Sequence, residues 1–175
     1  RLSAFIDSGN IFEKSSNIGI AKLIENQFKS NPDAYLKYLN KFGFNKDFDF
    51  QIFGSSIPSI KNTNDSAWSK VSLPWIAHGY ELKLTPLHTL SFYNAVANKG
   101  NYVNPKIVKE IKRANQTIKR MDNYERFSIA SSKSINTVIK LLEGVVENGT
   151  ADNIKNSYYK IAGKTGTSKK VLNGR

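Results

Sequence analysis

The stretch Lys164-Thr165-Gly166-Thr167-Ser168 lies near the C-terminal end of a 175-residue chain. Ahead of it, Tyr158-Tyr159-Lys160-Ile161-Ala162 is rich in β-branched and aromatic residues. That composition predicts a strand running into Gly163 and ending at an edge open to a ligand. A Lys-Thr-Gly at such an edge offers an ammonium, a hydroxyl and uncovered backbone. Those three groups suit an anionic, extended peptide, which would set its carboxylate against the lysine and add itself as one more strand. A solvated turn between lysines would give the same letters, and the triplet by itself does not choose.

Upstream of this stretch, Ile135, Val138, Ile139, Leu142, Val145 and Val146 recur at helical spacing, opened by serines and closed by Asn148-Gly149. They predict a long amphipathic helix leading into the Lys-Thr-Gly strand and packing flat across its sheet. Residues 114–128 are polar and read as surface, and Ile107 and Ile111 suggest a strand. Thr85-Pro86-Leu87 is a capping residue followed by proline in a first helical turn, and the helix after it, through Leu90, Phe92, Tyr93, Val96 and Ala97, is apolar on more than one side. It is expected to be deeply buried until Gly100 stops it. His78 and His88 read as hydrogen-bonded histidines near helix ends. Residues 54–67 have loop composition, and Phe48, Phe50 and Ile52 alternate with polar residues as in a short strand. Asn31-Pro32-Asp33 starts another helix, with Tyr35, Leu36, Leu39 and Phe42 on its apolar face and Gly43 at its end. Ile20, Leu23, Ile24 and Phe28 predict a helix with one buried face, entered through Ser15-Ser16-Asn17. Before it, Gly9-Asn10 reads as a turn. The Ser-Ser-Asn has two readings: a helix cap, or a hydroxyl and an amide held on a short turn facing a cleft.

Composition narrows the chemistry. The chain has 39% hydrophobic and 23% charged residues, as in ordinary globular domains. Cysteine is absent and only two histidines are present, so no metal site is assigned and no cofactor is implied. No run of residues is long and apolar enough for a membrane span, and Arg1 does not open a signal peptide. The chain is read as a piece of a longer protein, with any anchor outside it. The net charge of +12 favours anionic surroundings, and half of the excess falls in residues 99–120, where Glu110 is the one acid. That window reads as a solvated strand-and-turn face. Aromatic platforms for nucleic acid are missing, so a basic anion- or nucleic-acid-binding module has electrostatics alone behind it.

Taken together, Ser15-Ser16-Asn17 and Lys164-Thr165-Gly166 match in order the second and third of three motifs, Ser-x-x-Lys, Ser-x-Asn and Lys-Thr-Gly, of penicillin-binding proteins and related β-lactamases. Residues 75–105, with Gly79-Tyr80, Thr85-Pro86-Leu87, Tyr93, Ala97-Asn98, Gly100 and Pro105, resemble the class B penicillin-binding proteins. There the pattern is a Gly-Tyr-Gly turn, Thr-Pro-Leu-Gln and a helix ending in Ala-Asn-Gly-Gly. Gly149-Thr150-Ala151 ahead of Ala162-Gly163-Lys164-Thr165-Gly166-Thr167 is similar to the same family. The chain departs from it at Glu81 where glycine is common, at His88 where glutamine is common, and at Lys99 inside the Ala-Asn-Gly-Gly run. All three read as changes at the surface or just behind the site. One Ser-x-x-Lys exists, Ser157-Tyr158-Tyr159-Lys160, but on a strand its serine and lysine would point to opposite faces. The reactive serine is therefore expected upstream of Arg1.

The resemblance implies part of one transpeptidase domain over residues 1–175, in an α/β (α+β) fold: an antiparallel sheet edged by the Lys-Thr-Gly strand, with flanking helices and an all-helical subdomain. It implies a D,D-transpeptidase that cross-links peptidoglycan through an acyl-serine, in cell-wall synthesis and division. Lys164 and Thr165 would hold the terminal carboxylate of a D-Ala-D-Ala stem peptide, and Gly166 would lie along it. Ser15 would pass a proton to the leaving amine, Asn17 would hold the peptide amide, and the Thr167 N–H would be an oxyanion donor. The implied partners are the stem peptide, β-lactam antibiotics, a membrane glycosyltransferase and division proteins, with no specific nucleic acid. The implied location is the extracytoplasmic side of an inner-membrane-anchored protein. A β-lactam-recognising sensor and a β-lactamase-like hydrolase remain as alternatives.

Overall fold

A computed structural model describes residues 7–48, 56–121 and 126–166. Thr167, and most of the strand expected around Phe48, Phe50 and Ile52, lie outside the described residues. The chain divides into two units, residues 1–20 with 137–175 and residues 21–136. Among the described residues no helix is long and apolar enough to cross a membrane.

The first unit begins with helix α1, Ser8–Glu13. A turn is expected there from Gly9-Asn10, and a helix is found. Packing overrides propensity: the helix buries Ile11 and sets Phe12 against Val145, Val146 and Ala151. Helix α2, Asn17–Phe28, follows within four residues and runs on into the second unit. Its apolar face is only half-buried, short of the buried face expected. The C-terminal half of α6, Ser132–Glu147, returns to the first unit and supplies its core, where Leu142, Val145 and Val146 are buried. Each fully buried aliphatic of this kind contributes about 1.5–3 kcal/mol. The strand expected over residues 158–162 is not formed among the described residues. Tyr158 and Tyr159 are 92% and 63% exposed, and no described strand takes up their backbone. β propensity expresses fit to a half-buried pleated surface, which this segment does not have. Instead of a sheet packed on α6, a hydrogen bond from the Gly163 N–H to the Leu142 carbonyl at 3.1 Å, the packing of Ile161 on Val145 and Val146, and the approach of Lys160 to Glu143 tie the segment to that helix.

The second unit holds α3, Pro32–Lys41, α4, Ser72–Ala77, and α5, Pro86–Ala97. Its described strands form three antiparallel pairs. β1, Ser59–Ile60, joins β2, Leu82–Lys83; β3, Asn101–Val103, joins β6, Arg126–Ser128; and β4, Glu110–Arg113, joins β5, Gln116–Arg120. α3 starts as its sequence predicts, with the Asn31 side chain accepting from the Ala34 N–H. It ends in a Schellman turn, in which the Gly43 and Phe44 N–H groups reach the Asn40 and Leu39 carbonyls. Gly43 has φ +82, and a Cβ there would press on the Tyr102 ring. The core gathers Leu36, Leu39 and Ile76 under Tyr35, Phe42, Phe44, Trp68 and Leu82. The strand suggested by Ile107 and Ile111 falls at β4, which with β5 makes an exposed hairpin, in keeping with the solvated strand-and-turn reading of residues 99–120. Ala114 and Asn115 both have positive φ, as a tight two-residue turn requires.

The three departures noted in the sequence now have physical meanings. Glu81 and Lys99 both adopt positive φ, 56° each, so the backbone at both positions is one that glycine suits best. Lys99 is exposed, whereas the Glu81 carboxylate is partly buried and pairs with Lys61 at 2.6 Å. His88 is 2% exposed, not at the surface. It stacks on Phe48, and its Nε2–H donates to the Lys46 carbonyl at 2.7 Å. A carbonyl can only accept, so in the neutral ring Nδ1 takes its bond from the Thr85 hydroxyl, also at 2.7 Å. Only one face of α5 is buried, through His88, Ser91, Ala95 and Val96, and Leu90 is exposed. Replacing His88 with Leu removes its hydrogen bonds with the Lys46 carbonyl and the Thr85 hydroxyl from a buried position, and the expected loss is about 1–3 kcal/mol, read from urea denaturation against wild type.

Candidate active site

The site is built where α1 ends and α2 begins. The Ser15 N–H bonds the Phe12 carbonyl at 3.1 Å and the Ser16 N–H the Ile11 carbonyl at 3.0 Å. This pair of bonds is a Schellman closure that sets Ser15 in the left-handed position usually taken by glycine. Its φ is +53, a conformation that costs a side-chain-bearing residue about 1–2 kcal/mol. The next residue opens the second helix, because the Ser16 hydroxyl accepts from the Gly19 N–H at 3.1 Å. The two readings of Ser-Ser-Asn are thus divided between neighbours. Ser16 caps, and the hydroxyl of Ser15 is left for other use.

That hydroxyl meets Lys164. The Lys164 Nζ donates to Ser15 Oγ at 2.7 Å, across 149 residues of sequence. It also reaches the Thr165 carbonyl at 3.2 Å and stands 5.9 Å from the centre of the Phe12 ring. Burial lowers the Lys164 pKa from its ordinary 10.5, because the charged form loses water. Among the described residues no carboxylate pairs with it. A partly desolvated cation with no carboxylate beside it among the described residues is a receptor for an anion, and its contact with a hydroxyl gives a route for a proton.

Both arms rest on the end of α6. The Thr150 N–H donates to the Glu13 carbonyl at 3.2 Å, and Lys14 Nζ donates to the Asn148 carbonyl. Gly149 is required here by close approach, since a Cβ there would run into the backbone of Glu13 and Val145, whereas one at Gly144 would meet only the movable Glu13 side chain. On the other arm, Thr150 Oγ1 lies 2.6 Å from Thr165 Oγ1, and Ile161 packs on Val145, Val146 and Ala151.

Of the residues singled out from sequence, Ser15, Lys164 and Thr165 come together. Asn17 is the first residue of α2, exposed, with no side-chain hydrogen bond among the described residues. Gly166 is exposed beside Thr165, and Thr167 is outside the described residues. Lys160, the lysine of the misplaced Ser-x-x-Lys, lies 3.8 Å from Glu143. Phe12, Glu13, Lys14 and the contacts of Thr150 were not anticipated, although Gly149-Thr150-Ala151 was a visible signal for the last. Among the described residues no group of His, Asp and Glu could hold a metal ion.

A Ser-x-Asn and a Lys-Thr-Gly brought together in a mixed helix-and-sheet fold are the combination expected of the penicillin-binding family. Residues 2–175 match the penicillin binding protein transpeptidase domain, and the chain belongs to that family. It is 32% identical over 170 residues to the peptidoglycan D,D-transpeptidase FtsI of Buchnera aphidicola subsp. Baizongia pistaciae, covering 95% of this chain and 27% of that protein. It is 28% identical over 171 residues to the penicillin-binding protein PbpB of Mycolicibacterium smegmatis, covering 92% of this chain and 25% of the relative. The chain therefore spans about a quarter of the length of these curated relatives. Among solved structures it superposes on penicillin binding protein 3 of Mycobacterium tuberculosis complexed with aztreonam, with a TM-score of 0.82 at 27% identity, over 95% of this chain and 38% of the other. The fold class expected from the sequence is the one found.

Proposed function

We propose that this chain supplies the Ser-x-Asn and Lys-Thr-Gly elements of a D,D-transpeptidase that cross-links peptidoglycan stem peptides, within one transpeptidase domain. The observation that carries the reading is the 2.7 Å contact of Lys164 Nζ with Ser15 Oγ, which joins the two motifs in one place. Lys164 and Thr165 bind the terminal carboxylate of a D-Ala-D-Ala peptide or of a β-lactam, a charge-assisted contact strengthened by desolvation. Ser15, fed by Lys164, returns a proton to the leaving amine. Asn17 holds the peptide amide from the first turn of α2, Gly166 lies along the peptide, and the Thr167 N–H donates to the oxyanion. The acylated serine, with its Ser-x-x-Lys, comes from outside residues 1–175; Ser157 and Lys160 stand on an exposed segment, with Lys160 3.8 Å from Glu143 rather than at the Lys164–Ser15 contact. The protein works in the cell envelope, on the extracytoplasmic side and anchored in the inner membrane, with a glycosyltransferase and division proteins as partners.

Fluorescent penicillin tests the reading. The full-length protein is expected to be labelled and to release D-Ala from a D-Ala-D-Ala stem peptide, while residues 1–175 alone take no label. Labelling of the 175-residue chain that disappears in Ser157→Ala would overturn the assignment of the nucleophile. Labelling without any turnover of stem peptide would replace the enzyme by a β-lactam sensor.

A further inference from the structure

We infer that Thr150 is a positioning residue, which turns the Thr165 hydroxyl outward so that its hydrogen points at the substrate carboxylate. The inference rests on the reading of Lys164 and Thr165 as the carboxylate anchor. Thr150 Oγ1 and Thr165 Oγ1 are 2.6 Å apart, and either could donate. A hydroxyl has one hydrogen. If Thr165 gave its hydrogen to Thr150, it would face a carboxylate with lone pairs alone, and the contact would repel. Thr150 must therefore be the donor, and the hydrogen bonds run from Thr150 to Thr165 to the carboxylate.

Other features of Thr150 fit this role. Its backbone N–H is committed to the Glu13 carbonyl at 3.2 Å, which fixes the residue to the base of the turn that carries Ser15. Its side chain is exposed, while the neighbouring Ala151 is the one that fills the core. Packing therefore does not explain a threonine here, and the hydroxyl contact does. One residue thus touches both arms of the site, the serine turn through its backbone and the Lys-Thr-Gly through its side chain.

The test compares acylation of the full-length protein by benzylpenicillin and by its methyl ester. Thr150→Val keeps the shape and the N–H but removes the hydroxyl, freeing the Thr165 rotor. Its kcat/KM with the acid is expected to fall roughly two- to tenfold, the range of a single neutral hydrogen bond, with the ester unchanged and Thr150→Ser restoring the acid value. Equal loss on acid and ester would show a merely structural role, and no loss on either would show an idle contact; both overturn the inference. Lys164→Ala serves as the control. If it loses the acid selectively while Thr150→Val does not, the inference alone fails. If Lys164→Ala loses no preference for the acid, the carboxylate anchor fails and the inference with it.

Discussion

In the full-length enzyme, Lys164→Ala is expected to lower kcat/KM for acylation by about 2–5 kcal/mol, on the order of 30- to 5,000-fold. The effect is large because the Lys164 cation is partly desolvated and no carboxylate pairs with it among the described residues, so the arriving anion is its counter-charge. Removing it leaves that anion in the cleft without a partner, which costs more than losing one contact at the surface. The pH profile gives an independent check. Burial lowers the Lys164 pKa from 10.5, and the anchor is cationic only below its own pKa. Acylation by an acid substrate should therefore fall on an alkaline limb set below 10.5. That limb should be missing in Lys164→Ala. An unshifted limb, or wild-type acylation by the variant, would remove Lys164 from the site.

The second large effect separates two adjacent serines. Ser15→Ala deletes the hydroxyl that Lys164 contacts and leaves both helix ends intact, so acylation is expected to slow by a hundredfold or more, within the usual range of general acid–base contributions of about 10²–10⁴. The melting temperature should hardly move. Ser16→Ala should do the reverse. It removes the acceptor for the Gly19 N–H and costs about 0.5–2 kcal/mol of stability with little change in acylation rate. Ser15→Gly adds a sign test, since glycine accepts the left-handed backbone freely and should be more stable than Ser15→Ala while remaining as slow. Equal rates for the Ser15 and Ser16 variants would mean that both residues only shape the helix junction.

Much of this protein is legible along the chain because the signals are local. The Asn31-Pro32 and Thr85-Pro86 helix starts, the Gly43 stop and the period of Ile135, Val138, Leu142 and Val145 each depend on groups within one or two turns of each other. The family resemblance is legible for the same reason, being carried by short runs of residues. Backbone conformation at single positions is also marked in sequence, though indirectly. Two of the three departures from the family pattern, Glu81 and Lys99, fall where φ is positive and glycine is the low-strain choice.

What only the tertiary structure decided concerns pairs distant in sequence. The Gly9-Asn10 stretch becomes a helix because Ile11 and Phe12 have a core to enter, and the segment at residues 158–162 stays out of a ladder because no described strand lies beside it. His88 is the hydrogen-bonded histidine near a helix end that the sequence suggests, but its burial and its partner, the Lys46 carbonyl 42 residues away, come from the fold. Which serine caps and which meets the lysine could not be read from Ser15-Ser16-Asn17, since both have the same hydroxyl. The choice is made by the Schellman closure of α1, which assigns Ser15 the left-handed residue and Ser16 the cap, and by the docking of that junction on Gly144 and Gly149. Spacing in sequence records the chemistry of neighbours, whereas a lysine 149 residues from its serine is placed only when burial of Val145, Val146 and Ala151 brings the two chain segments onto one helix end.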